Sequence, residues 1–120
     1  MTLSEEVKQA IIDEYNKQLP NENDAATRKA LGQFFTPPSL TIKMIEKFDN
    51  LEGTILDPCG GSGNLLAACI IAGADPTKVY YNELDPNVFE IGKKRLMALG
   101  VPEKNCHIGN ALEESAYDFR

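Results

Sequence analysis

Asp57-Pro58-Cys59-Gly60-Gly61-Ser62-Gly63 lies between two apolar stretches, and it constrains the fold more than any other part of the chain. Residues 53–57 read as a short apolar strand and 65–72 as an apolar helix, so the glycines fall in a strand-to-helix turn. A turn of this kind lets backbone approach a ligand closely and aims free helix N-terminal amides at it. It also sets an acid, Asp57, at the end of the strand.

That acid bears on the ligand. A dinucleotide site brings a pyrophosphate to the helix dipole and wants a third glycine, whereas the register Gly61-x-Gly63-x-x-Leu66 lacks it. An anion immediately before the turn would repel a pyrophosphate and suits a cationic ligand, such as the ammonium of S-adenosyl-L-methionine. Glu83 ends the second apolar stretch, Val79-Tyr80-Tyr81, where an acid accepts hydrogen bonds from ribose hydroxyls. Taken singly, a glycine turn can be only a tight loop and a strand-end acid only a solvated cap. Their combination points to a nucleoside cofactor.

The rest of the chain alternates in the same way. Thr2 and Glu5 match a capping box, and Leu3, Val7, Ile11 and Tyr15 follow at i+4 steps in an amphipathic helix ending before Pro20. Residues 21–29 are polar and read as a loop. Thr36 is the expected N-cap and Pro37 the first residue of a helix running to about Phe48, with Leu40, Met44 and Phe48 as its apolar stripe and Ile45 widening it. Strands at 78–83 and 105–108 flank a helix at 87–99, which Gly100 closes. The expected fold is α/β: a partial doubly wound parallel sheet, comprising the first three strands of a Rossmann-like fold, with N-terminal helices. The first strand should keep an exposed edge.

With 120 residues, 42% hydrophobic and 25% charged, the chain is sized for one domain. Residues 1–30 read as an N-terminal helix and linker, and 31–120 as a cofactor-binding half-domain. No stretch approaches the ~20 apolar residues of a membrane span. The polar, acidic N-terminus lacks a signal pattern, so a cytoplasmic location is expected. Cys59, Cys69 and Cys106 lack metal-ligand spacing and read as thiols; Cys59 either touches ligand or fits the turn as a small side chain. A net charge of −6 argues against a broad phosphate-binding face on this chain. Lys93-Lys94-Arg95 reads as a solvated helix face.

Four motifs, at residues 32–37 (GQFFTP), 57–63 (DPCGGSG), 82–86 (NELDP) and 109–112 (GNAL), give the chain a resemblance, over about residues 31–112, to the DNA methyltransferases that act on N6 of adenine, including modification subunits of restriction systems. Gly32-Gln33-Phe34-Phe35-Thr36-Pro37 resembles the family's N-terminal motif, which lies against the methionine part of S-adenosyl-L-methionine. Asp57 to Gly63 resembles its glycine loop, Asn82-Glu83-Leu84-Asp85-Pro86 its ribose-binding strand end, and Gly109-Asn110-Ala111-Leu112 the turn that holds the adenine ring. The resemblance implies a cofactor site of Phe35, Thr36, Pro37, Asp57, Cys59, Gly60, Gly61, Ser62, Gly63, Glu83, Leu84, Asn110 and Leu112. Asn110 can pair with an adenine edge or serve as a turn residue after Gly109. Of Phe34 and Phe35, one is expected at the cofactor and one in the core.

The sequence also departs from the family. Members carry a catalytic Asn/Asp/Ser-Pro-Pro-aromatic loop after the adenine turn, and here the only Pro-Pro, Pro37-Pro38, lies elsewhere. No catalytic residue is therefore assigned. The resemblance implies the S-adenosyl-L-methionine-binding part of a site-specific adenine-N6 DNA methyltransferase, meeting DNA through segments not present here. The alternatives are a non-catalytic module pairing with a methyltransferase or restriction subunit, and a fragment of an RNA or protein methyltransferase. A homo-oligomer or a partner chain completing the sheet is compatible with each.

Overall fold

A computed structural model describes residues 1–18 and 36–113. Helix α1 (Glu5–Gln18) precedes α2 (Pro38–Glu46), followed by β1 (Ile55–Asp57), α3 (Asn64–Ile71), β2 (Val79–Glu83), α4 (Pro86–Ala98) and β3 (Cys106–Ile108). Short 3-10 turns, Pro76–Lys78 and Glu103–Asn105, lead into β2 and β3. The order is β1-β2-β3, both pairings parallel, with Asp57 beside Tyr81 and Glu83 beside Ile108. This is the expected α/β architecture, with β2 central and the outer edge of β1 unpaired among the described residues. Because the strands are parallel, the loops after β1, β2 and β3 all leave from the carboxyl edge, where open α/β sheets bind ligands.

Helix α3 explains how so small a sheet gains a core. It is apolar almost all round and buries Leu66, Ala67, Ala68 and Cys69, as a helix enclosed by other elements should. Leu66 and Ala67 join Val79, Tyr81, Phe89 and Leu96 in one cluster. Ala68 and Cys69 join Leu3, Ile11 and Ile45 in the other, so α1 and α2 complete the far side of α3. No described helix is long and apolar enough to cross a membrane. All three cysteines are free thiols.

Several boundaries differ from the sequence expectation. Ser4, rather than Thr2, caps α1: its Oγ accepts from the Val7 amide at 3.2 Å, while Leu3 is buried just before it. Pro37 is the cap of α2 and Pro38 its first residue. Either proline satisfies the start of a helix, and the Asn64 side chain fixes the later register by donating to the Thr36 carbonyl at 3.0 Å. The α2 stripe is also turned. Thr41 and Ile45 are buried against α1 and α3, whereas Leu40, Met44 and Phe48 are 49%, 37% and 41% exposed. Helix α4 starts at Pro86, one residue earlier than expected, because the Asp85 carboxylate accepts from the Asn87 and Val88 amides.

Candidate functional site

The glycine turn is shaped by its own backbone and held by the neighbouring strand. Gly60 N–H donates to the Asn82 carbonyl and Gly63 N–H to the Gly60 carbonyl, both at 2.9 Å. Gly61 and Gly63 take left-handed φ values of 56° and 83°, which a residue with a Cβ adopts only under strain. Gly63 thereby becomes the N-cap of α3. At the head of the turn the Cys59 amide donates to Asp57 Oδ1 at 3.2 Å. Burial holds the Asp57 carboxyl above its ordinary value, the Cys59 amide opposes that shift, and the negative charge of Glu83 adds to it.

Three consecutive residues of β2 then reach the loops around them. Tyr81 donates its phenol to the Gly61 carbonyl. Asn82 Nδ2 donates to the Pro58 carbonyl at 2.8 Å and to the Gly109 carbonyl at 3.0 Å. Glu83 Oε1 accepts from the Gly61 amide at 3.0 Å, and Oε2 accepts from the Asp85 amide at 2.8 Å. A strand alternates its side chains between faces, and here Asn82 serves the loops after β1 and β3 while Tyr81 and Glu83 hold the glycine turn.

The turn after β3 closes the arrangement. Gly109 N–H donates to the Glu83 carbonyl at 2.9 Å, and Asn110 Oδ1 accepts from the Leu112 amide at 2.9 Å, so Asn110 does form a side-chain turn. A recess of about 210 Å³ opens between the loops, with Pro58 and Cys59 on one wall, Glu83 and Leu84 in the middle and residues 109–112 opposite. Leu84 and Leu112 are 63% and 94% exposed, which leaves apolar surface at the mouth.

The structure therefore brings Cys59, Glu83, Leu84, Asn110 and Leu112 together on one recess, with Asp57 and the turn from Gly60 to Gly63 adjoining it. Phe35 and the rest of the motif from Gly32 lie outside the described residues. Thr36 lines a separate, narrow gap beside Asn64 and Arg95 and is tied to the start of α3 by the Asn64 hydrogen bond; Pro37 serves as the helix cap.

Arg95 corrects the expectation of a solvated basic run. It is only 6% exposed; Nε meets Glu14 Oε1 of α1 at 3.4 Å, while Nη1 donates to the Ser62 carbonyl at 3.4 Å and to Asn64 Oδ1. Burial pulls its pKa down and Glu14 opposes that shift, as expected for a buried cation kept charged by a partner. Asn64, Tyr81, Asn82 and Arg95 are thus site-supporting residues to which the sequence reading gave no role. For Asn64 and Asn82 a signal existed, since Asn64 follows the glycine loop and Asn82 opens the strand-end motif; for Arg95 there was none.

A three-stranded parallel sheet thus carries a glycine turn after its first strand, an acid at the end of its second and a further turn after its third, gathered at one recess on its carboxyl edge. The chain belongs to the N-6 DNA methylase family, whose model matches residues 7–117. Over 87 residues it is 35% identical to the Type II methyltransferase M.VspI of Vibrio sp. (strain 343), a match that covers 70% of this chain and 21% of that protein. The chain thus spans about a fifth of that relative's length. No solved structure matches it significantly.

Proposed function

We propose that this chain is the S-adenosyl-L-methionine-binding part of an adenine-N6 DNA methyltransferase of the restriction-modification type. The observation that carries the reading is the convergence of Glu83, the glycine turn and the 109–112 turn on one recess, with Asp57 beside it. Each Glu83 oxygen accepts one backbone amide, and a carboxylate oxygen has a second acceptor site to offer a ribose hydroxyl. Asp57 would meet the cationic end of the cofactor, where a positive charge offsets the cost of ionising a buried acid. Leu84 and Leu112 give the adenine ring apolar cover, and the Asn110 amide nitrogen can meet its edge. When bound, the cofactor supplies an activated methyl group for transfer to the exocyclic amine of an adenine turned out of the duplex. DNA would be held by other surfaces, given the net charge of −6, and no residue of the chain is assigned to the amine itself.

Calorimetric titration with S-adenosyl-L-methionine and its demethylated product tests the reading. Saturable binding is expected, with Asp57→Ala and Glu83→Ala each weakening it about tenfold or more. Wild-type affinity in both variants would sink the pocket assignment. The outer edge of β1, unpaired among the described residues, favours a second reading, a module that pairs with another chain. A strict monomer by size-exclusion mass measurement at high concentration counts against self-pairing.

A further inference from the structure

Asn82 is 1% exposed and lies beneath the recess rather than in it, yet both hydrogens of its amide are committed. One goes to the Pro58 carbonyl at 2.8 Å, the other to the Gly109 carbonyl at 3.0 Å. Those carbonyls belong to the two loops that form opposite walls of the recess. The remaining group, Oδ1, is 2.7 Å from His107 Nδ1. Turning the amide over would point its oxygen at two carbonyl oxygens, so the orientation is fixed by its partners, and an oxygen facing Nδ1 requires the proton there. Backbone bonds run alongside: Gly60 N–H to the Asn82 carbonyl and Gly109 N–H to the Glu83 carbonyl.

We propose that Asn82 is a positioning residue that fixes the separation of the glycine loop and the 109–112 turn, and so lets one ligand engage both at once. This rests on the reading of the recess as the S-adenosyl-L-methionine site. A ligand spanning two preset walls is spared the cost of ordering them, whereas a fragment touching one wall gains little. Asp in this position presents oxygen to both carbonyls and loses both donors. Ser is too short to reach both loops.

The test compares S-adenosylhomocysteine, the demethylated product, with adenosine on the wild type, Asn82→Asp and Asn82→Ser, each checked for folding by circular dichroism. The expected result is that the two variants lose about tenfold or more in affinity for the longer ligand relative to adenosine. A general loss of stability lowers both affinities alike and leaves that ratio unchanged. An unchanged ratio in either folded variant overturns the proposal. Should neither variant fold, the Asn82 side-chain amide protons of the wild type decide by NMR. Slow exchange in the free protein supports the clamp, and exchange as fast as that of an exposed asparagine overturns it. Failure of the wild type to bind either ligand would instead overturn the cofactor reading, leaving the clamp's geometry to the same amide protons.

Discussion

The phenol of Tyr81 donates to the backbone carbonyl of Gly61, so a side chain from the middle of the sheet supports the glycine turn from within the core. Gly92 of α4 packs against the same pair. A Cβ there would stand 2.6 Å from Tyr81 Cζ and 2.9 Å from the Gly61 oxygen, and the backbone atom cannot swing away. Gly92→Ala should cost about 2–3 kcal/mol, as overpacking of a filled core does. Tyr81→Phe should cost about 1 kcal/mol for the lost bond. Urea denaturation measures both, and the reverse order would count against this packing.

The ion pair between buried Arg95 and partly buried Glu14 joins α1 to the support of the glycine turn. Arg95→Met should cost about 3 kcal/mol, since it takes the cation from the partly buried Glu14 and a donor from the Ser62 carbonyl and Asn64 Oδ1. Glu14→Met should cost about 2 kcal/mol by leaving a buried cation with two neutral acceptors and no carboxylate. The double substitution should cost less than the sum of the two. Additivity within about 0.5 kcal/mol in a denaturation cycle would show that the residues are not coupled.

Asp57 carries a pH signature. Its folded pKa is raised above 3.8, chiefly by burial, so between those two values the folded chain holds more proton than the unfolded one and stability falls as pH rises. Asp57→Asn should therefore stabilise the ligand-free protein at neutral pH. The gain should shrink as the pH falls through the raised folded value and be gone below 3.8, where both states hold the proton. A melting-temperature series against pH checks this, and a variant less stable than wild type at neutral pH would refute it. The same variant should bind S-adenosyl-L-methionine more weakly, an instance of function maintained against stability.

The thiols should separate by reactivity. Burial pushes Cys69 up to about 11, with Asp57 adding to the effect, and Cys106 up to about 11, with Lys93 opposing. Cys59 is exposed on the wall of the recess. Alkylation at about pH 8 should mark Cys59 first, and saturating cofactor should slow it. Peptide mass spectrometry would reveal the opposite if Cys69 reacted as quickly.

The order of strands and helices was legible because apolar stretches and glycine punctuation set it locally. The register of α2 was not. Pro37-Pro38 allows two helix starts, and in a helix of nine residues that ends at Glu46 the 40/44 and 41/45 stripes compete until a neighbour selects one. In the candidate site, the residues around the recess were legible from their motifs, and their supports were not. Arg95 sits in a Lys-Lys-Arg run that looks solvated, and Glu14, its partner, is 81 positions away. Only the packing of α1 against the domain brings them together. Asn82 stood inside a recognised motif, but its two carbonyl partners become apparent only when the loops from β1 and β3 meet.

Tyr81, Asn82 and Glu83 are adjacent in one strand, and this limits how the site can be transplanted or altered. A one-residue slip of β2 would exchange the faces of all three side chains together, detaching every loop in a single step. Copying the glycine turn alone into another scaffold would transfer a shape without its supports. The smallest portable cassette is β2 with the three loop beginnings that it ties, and protein engineers should place insertions outside that strand.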